Sequence, residues 1–204
     1  MFRDAVKYPT KADDEVRTYG IAVLLSYGSL LVVPAFFLLG YFVKVIREST
    51  EGSEQIPKFE DFKTLFIDGV KFTGIMFAYF IVPVFVISLI ESSGLQSTAN
   101  LAAAPLLLLA FYLIPAAVVN FAKEDSLISA FNLREVSAKS FRFKYLKGYL
   151  LLALVFLLIT SAQVLITLVL IITIIGIPAL IVAWPVMRFY ENLVYFRIVA
   201  KMAE

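Results

Sequence analysis

The sequence predicts an all-α fold: a polytopic bundle of transmembrane helices, with about five apolar segments and two amphipathic elbow helices on the cytoplasmic side. Three observations predict it. The 204 residues are 61% hydrophobic with a mean hydropathy of +0.89, too apolar for a soluble chain of one domain to cover with polar groups. The apolar residues fall in runs whose length suits a bilayer core, roughly 20 residues each: Ile21 to Val43, Phe72 to Ile90, Leu101 to Ala122, Gly148 to Ile172 and Ile177 to Val199. Lipid offers backbone N–H and C=O groups no partner outside a helix or a closed barrel, and the alternating pattern of a barrel strand is absent. Residues 1–204 read as a single integral membrane domain.

Charge sets the expected topology. Lys and Arg number four before the first apolar run, five from Lys44 to Lys71, none from Glu91 to Ala122, six from Lys123 to Lys147, none from Gly148 to Met187 and three at the C-terminus. The positive-inside rule then places both basic elbows and the C-terminus in the cytoplasm of a plasma-membrane, multi-pass protein. The N-terminus fits less well. If the first run crosses the membrane, its four basic residues lie outside; if it turns back at Gly28 to Pro34, as a re-entrant hairpin, they lie inside. Both readings stand at this point, because Gly and Pro are where a membrane helix breaks. The first eighteen residues mix both charge signs and include Pro9, so no removable signal peptide is expected.

A net charge of +2 is too small to point to nucleic acid, and none is expected as a partner. With no cysteine and no histidine there are no disulfides, thiols, imidazole metal sites or histidine bases. HExxH, GxSxG and P-loop patterns are missing, and every Asp lies outside the apolar cores. The expectation is a non-enzyme with no metal and no cofactor.

Both elbows read as amphipathic. In the first, Pro57 opens a stretch in which Phe59, Phe62, Leu65 and Phe66 recur at helical spacing, opposite Lys58, Glu60, Asp61, Lys63 and Asp68. Such a helix lies in the headgroup plane, which makes Phe59 and Phe62 candidate lipid anchors. In the second, Asp125 or Ser126 is placed to cap a helix, and Arg142, Lys144 and Lys147 are placed to meet anionic headgroups.

Polar residues inside apolar runs are the candidate functional site. Thr160, Gln163 and Thr167 share one face of the fourth run, either as a polar lining or as interhelical hydrogen bonds. The last two runs form one hairpin around Ile175 to Pro178, which at about 1.5 Å per residue puts Arg188 roughly 16 Å and Glu191 roughly 21 Å into the bilayer. Asn192 shares their face, and Asn120 reaches a similar depth, where it is placed to partner either Arg188 or Glu191. A charge at that depth is costly, so Arg188 and Glu191 form a buried pair, or Arg188 snorkels to the surface.

The run from AVKYPTK through LLVVPAFFLLGYFVKVIRE and IPKFEDFKTLFIDGVK to FAYFIVP resembles the domain of unknown function 4013, a family of prokaryotic, largely archaeal, integral membrane proteins. Gly40-Tyr41, Val43-Lys44-Val45, the Pro57, Phe59, Asp61 elbow and Asp68-Gly69 carry the resemblance most specifically. Phe62 departs from it, since the resemblance implies tryptophan there. The resemblance implies a membrane protein and assigns no activity. The expected function is therefore a channel-like or carrier-like protein, or a subunit of one, for a small solute or ion, working as an oligomer or in a membrane complex. The other reading is a non-transporting structural or accessory subunit that binds anionic lipid or a partner protein.

Overall fold

The computed structural model describes residues 2–12, 14–29, 32–173 and 176–203, and the regular structure among them is helical throughout. The order is α1 (Phe2–Lys7), a 3-10 turn (Tyr8–Thr10), α2 (Glu15–Gly28), α3 (Val33–Thr50), α4 (Phe62–Ser92), α5 (Gln96–Glu124), a second 3-10 turn (Leu127–Phe131), α6 (Leu133–Ser140), α7 (Phe143–Ile172) and α8 (Gly176–Met202). Among the described residues, α4, α5 and α7 are the 3 helices long and apolar enough to cross a membrane. Their outer faces carry Phe77, Leu108, Leu157 and many other exposed apolar side chains, the pattern of a surface meant for lipid rather than water.

The first apolar run is not one helix. α2 ends at Gly28, Leu30 and Leu31 lie outside the described residues, and α3 restarts with Pro34 in its first turn. Proline there costs nothing, because the N–H it lacks would have had no helical partner. Val32, just before it, holds a left-handed φ of 65°. The two helices pack on each other and on α8, and their open ends meet: the Ile56 N–H donates to the Lys11 carbonyl at 3.4 Å, and the Tyr8 hydroxyl donates to the Gln55 carbonyl at 3.1 Å. At the other end of the hairpin the Tyr27 hydroxyl donates to the Ile181 carbonyl, near the start of α8.

The first elbow also departs from expectation. Residues 51–61 form no helix, and Phe62, Leu65 and Phe66 belong to the opening turns of α4, which runs unbroken to Ser92. The reason is the cap: Asp61, at φ 53°, accepts from the Thr64 N–H at 3.4 Å and from the Thr64 hydroxyl at 2.6 Å, and nothing downstream stops the helix. The second elbow does contain helix, but Asn132 caps it, accepting from the Glu135 N–H at 3.4 Å. Asp125 instead closes α5 in the left-handed region, and Ser126 heads the 3-10 turn without a side-chain cap. In the final turn Ile175 lies outside the described residues, and Gly176 opens α8 with its N–H donating to the Thr173 carbonyl at 2.6 Å.

The core gathers at the end that carries the C-terminus. There the unbroken buried run Ile114–Ala122 of α5 packs with the buried faces of α3, α4 and α8 and with Ala5 of α1. Tyr8, Tyr41, Phe42, Phe59 and Phe189 make a second, aromatic cluster beside it.

Candidate functional site

The α7–α8 hairpin brings four of the expected polar residues together. Glu191, 5% exposed, takes a hydrogen bond from Thr160 Oγ1 at 3.0 Å on Oε1 and an ion pair from Arg188 at 2.7 Å on Oε2. One turn further along, Gln163 Nε2 donates to the Met187 carbonyl at 3.0 Å. Thr160 and Gln163 meet α8 because their i, i+3 spacing puts both on the face of α7 that packs there. Arg188 lies on the outer side of the pair, its guanidinium 4.9 Å above the Trp184 ring, an i, i+4 contact in which the indole covers part of the cation. Both carboxylate oxygens of Glu191 are engaged within the protein, and the small cavity beside it is lined by Leu152, Val155, Phe156, Ile159 and other apolar groups. Chemically, the cluster joins two helices.

The other expected members lie apart from it. Thr167 is half-buried on α7 with no hydrogen-bond partner for its hydroxyl, and Asn192 is half-buried on α8. Asn120 does not reach Arg188 or Glu191. It is fully buried on α5 and serves the second elbow, its Oδ1 accepting from Lys139 and its Nδ2 donating to the Ser129 carbonyl at 3.5 Å. Burial, with Lys123 close by, lowers the Lys139 pKa.

The lipid-anchor candidates divide between the elbows. Phe59 is enclosed, stacked on Tyr41 with ring centroids 3.8 Å apart and with Phe189 beside the stack at 6.2 Å. Phe62 is exposed at the start of α4. Arg142, Lys144 and Lys147 are all exposed, with the Lys147 ammonium 4.5 Å above the Phe143 ring. Around them the elbow displays Ile128 at 80% exposure, Leu133 at 64%, Phe141 at 73% and Phe143 at 70%. Large apolar groups and cations are thus both exposed along this elbow.

Two ion-pair groups escape a reading of the sequence. Asp4 on α1 pairs with Arg197 at 3.3 Å, with Lys11 at 3.7 Å and with Lys201. Arg197 is only 2% exposed, lies 4.5 Å above the Tyr8 ring and donates to the Ser53 carbonyl at 2.6 Å. Burial alone would push the Asp4 carboxyl up, but the hydrogen bond from Lys201 and the charges of Arg197 and Lys201 outweigh it and hold the carboxyl below its ordinary value. In the second group Arg47 bridges the buried Asp68 at 3.1 Å and Asp125 at 2.9 Å, and donates to the Ala122 carbonyl at 3.0 Å, joining α3, α4 and α5. Neither group has a local signal, since partners lie as far as 197 positions apart.

The residues that carry the family resemblance meet at the crossing of α3 and α4. A side chain at Gly40 would collide with the Leu65 carbonyl, and one at Gly69 with the Phe36 carbonyl. Tyr41 donates to the Pro57 carbonyl at 2.9 Å and stacks on Phe59, while Asp61 caps α4. No curated protein matches the chain, and no solved structure does. A family does match, over residues 27–184, from the end of α2 through that crossing and the second elbow into α8. Most of the chain is covered, and it belongs to the family described as protein of unknown function (DUF4013).

Proposed function

We propose that the chain is a multi-pass membrane protein of the plasma membrane that acts as a non-transporting structural or accessory subunit, seated on anionic lipid through its second elbow. In this reading α4, α5 and α7 cross the bilayer, α8, less apolar than these, returns beside α7 with its Arg188 and Glu191 charges paired, α2 and α3 form a re-entrant hairpin, and both termini are cytoplasmic. The topology then obeys the positive-inside rule along its whole length, since the four basic residues before the first apolar run fall on the same side as those of both elbows. The observation that carries the lipid assignment is the joint exposure of Ile128, Leu133, Phe141 and Phe143 with Arg142, Lys144 and Lys147.

Lipid retained through purification in mild detergent tests it. The ratio of phosphatidylglycerol to phosphatidylethanolamine should fall when Arg142, Lys144 and Lys147 are all replaced by Gln, and should fall with added salt in the unaltered protein. A ratio unmoved by either change defeats the proposal.

A channel or carrier for a small ion is the second reading, and the Arg188–Glu191 pair favours it as a charge pair set among apolar runs. Proteoliposome flux that Arg188→Ala or Gln163→Leu abolishes would establish that reading in place of the first.

A further inference from the structure

Between α4 and α5, on the outer face of the bundle, runs an apolar groove of about 380 Å³, within the roughly 300–1,000 Å³ of small-ligand clefts. It exists because Ala78 and Ala110 put little bulk on the facing sides of the two helices, beside Pro83. Its elbow end is lined by Phe131 and Leu133, and Phe131 is held there by stacking on Tyr79, whose hydroxyl donates to the Ala130 carbonyl at 2.7 Å. With that hydroxyl engaged, nothing named along the groove calls for water. Tyr79 to Val86, both lining it, span roughly 10 Å of α4 at 1.5 Å per residue.

We propose that this groove holds one acyl chain of an anionic phospholipid, with its phosphate at Arg134. The inference rests on the reading that the elbow meets anionic lipid, and it assigns the place where a lipid is held rather than merely met. Arg134 follows Leu133 directly in sequence and is exposed. From Lys123 to Lys147 the elbow carries six basic residues against the three acidic ones Glu124, Asp125 and Glu135. An apolar slot that ends at a cationic elbow fits a phospholipid with a net negative headgroup better than a zwitterionic one.

The chain has a single tryptophan, Trp184, which makes fluorescence quenching by acyl-brominated lipid a clean test. In a Trp184→Phe background, Phe131→Trp reports from the groove, Leu133→Trp is a second reporter should the first misfold, and Phe143→Trp reports from the elbow outside the groove. Each is reconstituted in nanodiscs with brominated phosphatidylglycerol or brominated phosphatidylcholine at equal mole fraction. The groove reporters should show phosphatidylglycerol enriched about fivefold, the effect of roughly one basic side chain near an anionic surface. Arg134→Gln should abolish that preference, and Ala110→Phe should lower quenching at the groove while leaving Phe143→Trp unchanged. Equal quenching by the two lipids in the groove, or a preference that survives Arg134→Gln, overturns the inference. A preference at Phe143→Trp alone overturns it while sparing the wider lipid reading, and no preference at either place overturns both.

Discussion

Gly40 and Gly69 make a reciprocal contact: Gly40 of α3 receives the backbone carbonyl of Leu65, and Gly69, one turn further along α4, receives that of Phe36, one turn before Gly40. Small residues at such a crossing let two backbones touch, and in lipid, where hydrophobic burial between helices contributes little, close packing holds helices together. A methyl group at either position must push the helices apart. Gly40→Ala and Gly69→Ala should each destabilise the protein by about 1–3 kcal/mol, whereas Gly74→Ala, where nothing lies within 4 Å of the added carbon, should have little effect. Thermal unfolding in detergent reads all three, and a Gly74→Ala loss equal to that of Gly40→Ala would remove the argument.

The ion pairs at the C-terminal end give a pH dependence with a definite sign. Asp4 is held below its ordinary pKa in the folded protein, so its pairing contributes stability that is fully present above the unfolded value, near pH 4. That contribution disappears as pH falls through the lower folded value. Asp4→Asn should therefore melt at a lower temperature than the unaltered protein at neutral pH, with the gap closing in acid. A gap that stays constant across the acid limb would mean that Asp4 acts through packing instead.

How much of this was legible in advance depended on whether the contact was local. That Thr160 and Gln163 share one face of α7 is legible, because a 3.6-residue period leaves a mark within one helix; that this face meets Glu191 and Met187 of α8 is not. The break near Pro34 was legible as a possibility, but its outcome hangs on Lys11 meeting Ile56 and Asp4 meeting Arg197, pairs whose members carry no trace of each other. The first elbow misled for a related reason. Phe62, Leu65 and Phe66 do have helical spacing, but the phase belongs to α4, and only Phe59 precedes the cap at Asp61. Asn120 likewise shows its burial and not its partner, since Lys139 arrives by way of a folded elbow.

The α7–α8 cluster separates a functional charge pair from a structural one. Glu191 is buried, while the Arg188 side chain is 41% exposed, so removing Arg188 leaves a carboxylate with only Thr160 for company. Arg188→Leu should cost between the ~1 kcal/mol of an exposed pair and the ~3 kcal/mol of a fully buried one. Adding Glu191→Leu should restore most of the loss, because two apolar side chains of similar volume replace a pair whose desolvation offset much of its attraction. Unfolding of the single and double variants in detergent measures it. A double variant as unstable as the sum of its singles would show that the two residues do not act together.

The proposed re-entrant hairpin puts the beginning of the chain on the side of the membrane where α8 ends. Asp4 pairs with Arg197 and Lys201 near the end of α8, and the Tyr190 hydroxyl donates to the Val6 carbonyl at 2.7 Å. A first run that crossed the bilayer would put Asp4 and Lys201 about 30 Å apart, and none of these contacts survives that. The chain has no native cysteine, so Phe2→Cys and, on the second elbow, the exposed Glu135→Cys each present one thiol to a membrane-impermeant maleimide. Both should label from the same side in intact cells and inverted vesicles, and that side should be the cytoplasm, with Ser93→Cys between α4 and α5 labelling from the opposite one. Labelling of Phe2→Cys from the side that labels Ser93→Cys would restore a plain first span, and the contacts of Asp4 and Val6 with α8 would have to be abandoned with it.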